Sequence, residues 1–257
     1  MGKIIAIANQ KGGVGKTTTA VNLCAALTHY GKKTLLCDMD PQGNATSGVG
    51  VKKDKDSDSM YNVLIEGADV SSIITKTSYC DVLPSNQVLS GAGIELVNFE
   101  GREFVLKAVL ETLRDDYDFI IIDCPPSLEM LTLNSLCAAD TVLVPVQCEY
   151  FALEGLSDLM SSIRMTKKSL NPPLTLEGVV LTMYDSRTNF SLQIADEIKK
   201  FFREKTFNTV IPRSIRLAEA PSHGIAIIDY DNSSRGAQAY LALGREVIKR
   251  NSEVRKK

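Results

Sequence analysis

Lys11-Gly12-Gly13-Val14-Gly15-Lys16-Thr17-Thr18 places three glycines, two lysines and two hydroxyls in eight consecutive positions. That composition suits phosphate. In the pattern G-x-x-x-x-G-K-[ST], glycines let successive backbone N–H groups converge on phosphate oxygens, the lysine reaches the β- and γ-phosphates, and the hydroxyl holds Mg²⁺. The chain fits this pattern in a deviant form, with a second lysine, Lys11, ahead of the glycines. A Gly-rich turn with two exposed lysines is the plainer alternative.

Three carboxylates complete a phosphate-transfer set. Asp123 ends the apolar run Phe119-Ile120-Ile121-Ile122 and precedes Cys124-Pro125-Pro126-Ser127. There it can hold the water shell of Mg²⁺ beside Thr17, or simply cap its strand. Pro125-Pro126 stiffens the next turn, as suits a loop that senses a γ-phosphate. Asp38 and Asp40 flank Met39 ahead of Pro41-Gln42-Gly43-Asn44. A strand ending between them keeps one carboxylate in the core and sends the other into the site. Asp40 then polarises the attacking water, and Asp38 serves the metal shell or the structure. Turn chemistry before Pro41 is the alternative for both.

These groups need regular elements to hold them. Ile4-Ile5-Ala6-Ile7-Ala8 reads as a buried strand and Thr17 to His29 as a helix with apolar Val21, Leu23, Cys24, Ala25 and Leu27, so strand, loop and helix follow in the order a phosphate loop requires. Further strands are expected at Thr34 to Cys37, Val82 to Pro84, Phe119 to Ile122, Thr141 to Val146, Leu176 to Met183 and Thr209 to Ile211. Helical stretches such as Arg102 to Leu113 and Leu153 to Thr166 separate them. This alternation predicts an α/β fold, doubly wound, with a mostly parallel sheet covered by helices on both faces. Ligands of such sheets sit beyond the carboxyl ends of the strands, where Asp38, Asp40 and Asp123 fall.

The 257 residues, 44% hydrophobic, are expected to form a single P-loop ATPase domain over 1–257. The net charge of −2 gives no overall attraction to nucleic acid or anionic lipid, so any such binding needs a local patch. The six cysteines, Cys24, Cys37, Cys80, Cys124, Cys137 and Cys148, form no C-x-x-C pair and point to a reducing, cytoplasmic compartment. No signal peptide and no membrane-spanning stretch is expected. Lys52 to Ser59 carries three positive and three negative residues and reads as an exposed loop.

Two basic patches stand out. Ile194, Ile198, Phe201 and Phe202 give one helix an apolar face and direct Lys199, Lys200 and Arg203 elsewhere. From Gly244 onward, Arg245, Lys249, Arg250, Arg255, Lys256 and Lys257 outnumber Glu246 and Glu253. Solvated surface is the alternative for each lysine. His223 reads as a loop-ordering hydrogen bonder, and His29 as a cation at a helix C-terminus.

Taken together, Lys11-Gly-Gly-Val-Gly-Lys-Thr-Thr-Thr, Asp38-Met-Asp-Pro-Gln-Gly-Asn-Ala-Thr, Asp123-Cys-Pro-Pro-Ser, Pro145-Val-Gln-Cys-Glu-Tyr, Leu153-Glu-Gly-Leu and Glu219-Ala-Pro-Ser-His-Gly closely resemble the ParA/Soj partition ATPases, from about residue 3 to about 250. The resemblance implies an ATP-sandwich homodimer that uses ATP and Mg²⁺ and binds double-stranded DNA without sequence preference. Slow hydrolysis, stimulated by a ParB/Spo0J-type centromere-binding protein, releases the DNA. It implies that Lys11 reaches across the dimer to the partner's nucleotide, where a trans arginine finger would act. Gly12 would pack at that contact, while Gly13, Val14, Gly15, Lys16, Thr17 and Thr18 hold the phosphates. It sets Pro212 and Ser214 beside the base, where many relatives carry Asn in place of Ser214; an ordinary turn is the alternative. Arg187 and Arg216 match DNA-contacting positions.

The implied setting is cytoplasmic and nucleoid-associated, with no membrane attachment and no separate DNA-reading domain ahead of the first strand. A MinD-type division-site ATPase shares the lysines but would need a terminal amphipathic helix for the membrane, whereas Ala237, Tyr240, Leu241, Gly244, Val247 and Ile248 suit packing on the core. A nitrogenase-type iron protein would need a second cluster cysteine beside Cys124. A nucleotide-gated scaffold without turnover is the third alternative, and Asp40 argues against it.

Overall fold

Alternate residues of the central strands divide between two hydrophobic cores, one on each face of a single sheet. A computed structural model describes residues 1–149 and 152–254. Its strands are β1 (Lys3–Ile7), β2 (Thr34–Asp38), β3 (Thr75–Lys76), β4 (Asp81–Leu83), β5 (Phe119–Asp123), β6 (Thr141–Gln147), β7 (Thr175–Tyr184) and β8 (Thr206–Pro212). They form an eight-stranded sheet in the order β3-β4-β2-β5-β1-β6-β7-β8. Every pairing is parallel except that of β3 with β4. Ile4, Ala6, Leu35, Ile120 and Ile122 belong to one core, and Ile5, Ile7, Leu36 and Ile121 to the other, as period-two alternation between two covered faces requires.

Helices cover both faces. The first core takes apolar residues from α3 (Val70–Ile73), α4 (Leu89–Glu95), α5 (Val105–Leu113), α6 (Met130–Ala138), α7 (Ala152–Ser169) and α8 (Asn189–Phe202). The second takes them from α1 (Lys16–His29), α2 (Asn44–Gly48), α9 (Ile215–Glu219), α10 (Ile227–Tyr230) and α11 (Arg235–Val254). Helix α11 lies so close to α1 that a Cβ at Gly244 would stand 2.8 Å from the Cβ of Ala26, so only glycine fits there. The fold is the doubly wound, mostly parallel α/β sheet expected from the alternation of elements.

Three local readings change. The two-residue edge strand β3 is too short to leave a periodic signal. The basic segment from Gly244 is not an appended tail, because α11 runs through it to Val254 and buries Val247. Phe201 is 69% exposed and stands outside the α8 face formed by buried Ile194, Ile198 and Phe202. The charged loop at 52–59 is largely exposed, as its composition predicts. Tyr150 and the last three basic residues, Arg255, Lys256 and Lys257, lie outside the described residues, as do the side chains of Leu153 and Glu154 in the Leu153-Glu-Gly-Leu motif.

Candidate functional site

The register of three adjacent strands assembles the site. Asp123 at the end of β5 lies beside Ile7 of β1 on one side and Asp38 of β2 on the other. The loop leaving β1 is therefore delivered to both carboxylates. That loop is stapled from three directions: the Asn9 amide donates to the Pro145 carbonyl at 2.7 Å, the Asn9 side-chain oxygen accepts from the Lys11 N–H at 3.0 Å, and the Thr182 hydroxyl donates to the Val14 carbonyl at 2.8 Å. Gly13 and Gly15 turn it with φ of 75° and 88°, a region side chains resist. Helix α1 starts at once after Gly15, so its unpaired N–H groups open towards the cradle. Among the described residues nothing lies within 4 Å of a Cβ built on Gly12, so no contact among them demands glycine there.

Charge at the base of the cradle is partnered unevenly. Lys16 is 7% exposed, and its Nζ donates to the Lys11 carbonyl at 3.2 Å. Burial lowers its pKa, against the raising influence of Asp123 and Asp40. Asp123 is fully buried, and among the described residues neither carboxylate oxygen has a partner in hydrogen-bonding geometry. Burial and then the neighbouring Asp38 raise its pKa well above the usual carboxylate range, against the lowering influence of the Thr17 hydroxyl and the Lys16 charge. A buried carboxylate left bare in this way calls for a cation or its water shell. Thr17 and Thr18, half-buried at the start of α1, complete a donor set of hydroxyl, carboxylate and ammonium that fits a magnesium phosphate.

Asp38 differs from Asp123. Its Oδ2 accepts from the Thr46 N–H at 2.8 Å and the Thr46 hydroxyl at 2.7 Å, and its Oδ1 accepts from the Asp40 N–H at 3.1 Å. Burial pushes its pKa up to about 6, against those hydrogen bonds. With both oxygens engaged in the protein, Asp38 matches the supporting alternative better than the metal-shell one. Asp40, 7% exposed, lines a cavity of about 300 Å³ with Gly12, Gly13, Lys16, Thr17, Gln42, Asn44 and Pro126.

A second cavity of about 390 Å³ continues from the first, sharing Gly15, Thr18 and Met183 with it. Pro212, Arg213, Ser214, Ile215, Leu217 and Tyr240 form much of its mostly apolar wall, a fit for a heterocyclic base. Met183 stands at the junction with φ of 49°, an uncommon backbone state for a side-chain-bearing residue. The family resemblance sets the strand end Met183-Tyr184-Asp185 near the base; the backbone state of Met183 is what the structure adds. Glu149 was missed: its carboxylate takes the Lys11 ammonium at 2.5 Å.

The basic residues fall into different settings. The loops after β7 and β8 adjoin, since Tyr184 pairs with Pro212 and the Arg213 N–H donates to the Tyr184 carbonyl at 3.3 Å, so Arg187 and Arg216 follow neighbouring strand ends. Arg187 is 86% exposed and forks onto Asp185 at 2.7 and 2.9 Å. Arg216 pairs with Glu219 at 3.2 Å and Asp231 at 3.8 Å. Lys199 and Lys200 are exposed at the end of α8. Arg250 is withdrawn from the basic set, because it bonds Glu246 and the Thr206 carbonyl at 2.9 Å each and lies 4.0 Å from the Phe207 ring centre. All six cysteines are buried and unpaired. Among the described residues no group of three or more His, Cys, Asp or Glu is arranged to hold a metal ion, and no helix is long and apolar enough to cross a membrane.

Residues 2–176 match the AAA domain family. The chain is 57% identical to the sporulation initiation inhibitor protein Soj of Bacillus subtilis, over 96% of this chain and 98% of that protein. It is 51% identical to the chromosome partitioning protein ParA of Myxococcus xanthus, over 98% and 90% respectively. Among solved structures, cobyrinic acid a,c-diamide synthase of Mycobacterium smegmatis, holding an ATP analog and magnesium, superposes with a TM-score of 0.84 at 38% identity, covering 95% of this chain and 93% of that one.

Proposed function

The chain belongs to the ParA/Soj family of chromosome-partition ATPases, and on that premise we propose that it is a switch in which ATP joins two copies into a DNA-binding dimer and hydrolysis separates them. It is a P-loop ATPase with ATP and Mg²⁺ as cofactors. Bound ATP and Mg²⁺ supply the phosphoanhydride to be cleaved and the cation that spreads its charge. The observation that carries the reading is the buried Asp123 carboxylate at the base of the phosphate cradle, without a hydrogen-bond partner among the described residues.

The chain's own residues divide the work. The amides of Gly13 to Thr18 and the Lys16 ammonium bind the phosphates. Thr17 and, through water, Asp123 hold the cation, while Asp38 supports the loop carrying Asp40. The Asp40 carboxylate accepts a hydrogen bond from the attacking water and orients it. Pro212 and Ser214 flank the base. Lys11 leaves Glu149 and reaches the nucleotide of the second copy, and the open space around Gly12 receives that copy.

DNA binding without sequence preference follows from Arg187 and Arg216, with Lys199 and Lys200 at the far end of α8, on two copies at once. The setting is the nucleoid surface in the cytoplasm. Release is triggered by a ParB/Spo0J-type partner that stimulates a slow intrinsic turnover. A membrane-bound division-site role is disfavoured because α11 spends Ala237, Tyr240, Leu243 and Val247 on the core. The test is turnover measured with DNA, with a cognate ParB N-terminal peptide, and with both. Synergy of the two supports the switch; indifference to both overturns it in favour of a scaffold.

A further inference from the structure

We propose that Ser85, outside every nucleotide motif, is a positioning residue for hydrolysis, because with Thr46 and Asp38 it closes a hydrogen-bonded ring around the backbone of Asp40. The ring has four links. The Asp40 N–H donates to Asp38 Oδ1 at 3.1 Å, and the Asp40 carbonyl accepts from the Ser85 hydroxyl at 2.7 Å. The Ser85 N–H donates to the Thr46 hydroxyl oxygen at 2.9 Å, and the Thr46 hydroxyl donates to Asp38 Oδ2 at 2.7 Å. Each hydroxyl proton has one acceptor, so the donors and acceptors balance around the circuit.

The ring is dry. Asp38, Thr46 and Ser85 are 0% exposed and Asp40 7%. Water therefore cannot replace a missing link at low cost, unlike in an exposed loop. The same loop is pressed onto Ser85 elsewhere: Gly43 has φ of 62°, its N–H also donates to the Asp40 carbonyl at 2.9 Å, and a Cβ on it would stand 2.7 Å from the Ser85 carbonyl oxygen. Both ends of the Asp40 peptide unit are thus fixed, and the side chain, whose Oδ1 also accepts from the Gln42 N–H at 2.9 Å, lines the phosphate cavity. Hydrolysis depends steeply on where that carboxylate stands, whereas nucleotide binding relies mainly on the loop from Gly12 to Thr18.

The inference rests on the role given to Asp40, and the experiment separates the two. ATP affinity and single-turnover hydrolysis are measured for Ser85→Ala, Thr46→Val, Thr46→Ser and Asp40→Ala, and for Ser85→Ala in the Asp40→Ala background. Ser85→Ala and Thr46→Val are expected to hold ATP affinity within about twofold while slowing hydrolysis about tenfold, the worth of one hydrogen bond. Thr46→Ser, which keeps the hydroxyl, restores the rate. In the Asp40→Ala background Ser85→Ala adds nothing, because the group it positions is gone. If Asp40→Ala abolishes turnover but Ser85→Ala and Thr46→Val hydrolyse at the wild-type rate, the positioning role is overturned and the Asp40 reading stands. Equal losses in affinity and rate, without rescue by Thr46→Ser, overturn it as a folding effect. Wild-type turnover in Asp40→Ala overturns both.

Discussion

The Lys11 ammonium lies 2.5 Å from the Glu149 carboxylate, across a gap between the start of the phosphate loop and the end of β6. The two side chains are 36% and 45% exposed, so the pair contributes only about 0–1 kcal/mol, little enough for a competing phosphate to displace it. Lys11→Ala is expected to remain monomeric with ATP in light scattering. Glu149→Gln, which frees Lys11, should dimerise with ATP at about two- to fivefold lower protein concentration. An unchanged ATP dimer in Lys11→Ala removes the trans role.

Asp123 and Asp38 make the nucleotide-free protein sensitive to alkali. Both have folded pKa values above that of an unfolded aspartate, Asp38 at about 6 and Asp123 raised by burial and by Asp38, so the folded state holds more protons than the unfolded one. Their unfavourable burial is absent below the unfolded pKa of about 4 and grows as pH rises from there through the folded values. The thermal midpoint should fall as pH rises above about 4, and Asp123→Asn should flatten that slope. An unaltered slope in the variant places the titration elsewhere.

Arg187 and Arg216 should govern DNA retention together. Hydrogen bonds from Arg187 hold the Asp185 carboxyl below its usual range, so a phosphate must take the guanidinium from an existing partner. Arg187→Ala with Arg216→Ala should abolish ATP-dependent retardation of DNA and shrink the slope of log affinity against log salt by about 3 to 4 for a dimer. Unchanged retardation would sink the assignment.

Ser214 offers the base one hydroxyl where an asparagine offers an amide, a smaller set of donors and acceptors. Competition binding should therefore find weak preference for ATP over GTP, sharpened by Ser214→Asn. Strong discrimination in the wild-type protein would show that other wall groups read the base.

What the sequence could reveal followed distance along the chain. Lys16, Thr17 and the β1–α1 junction are neighbours in sequence, and continuous apolar runs marked β1, β5 and β6 as buried on both faces. The link between Ser85 and Thr46, the last residue of the Asp38 motif, was silent because 39 residues separate them and the β2–β4 pairing brings them together. The strand end at Met183 was legible through the family resemblance, but its left-handed backbone angle was not, since residue type does not announce it. Charge counting misjudged Arg250, since a cation 4.0 Å from the Phe207 ring serves packing.

The Thr19 hydroxyl meets the Tyr240 hydroxyl at 3.2 Å across 221 residues of chain, and Gly244 rests on Ala26 in the same seam. On a ribosome adding about 5–20 residues per second, the helix behind the phosphate loop would wait roughly 10–40 s for its cover. Until then its apolar flank stays uncovered, and the cavity that Tyr240 helps to line is incomplete.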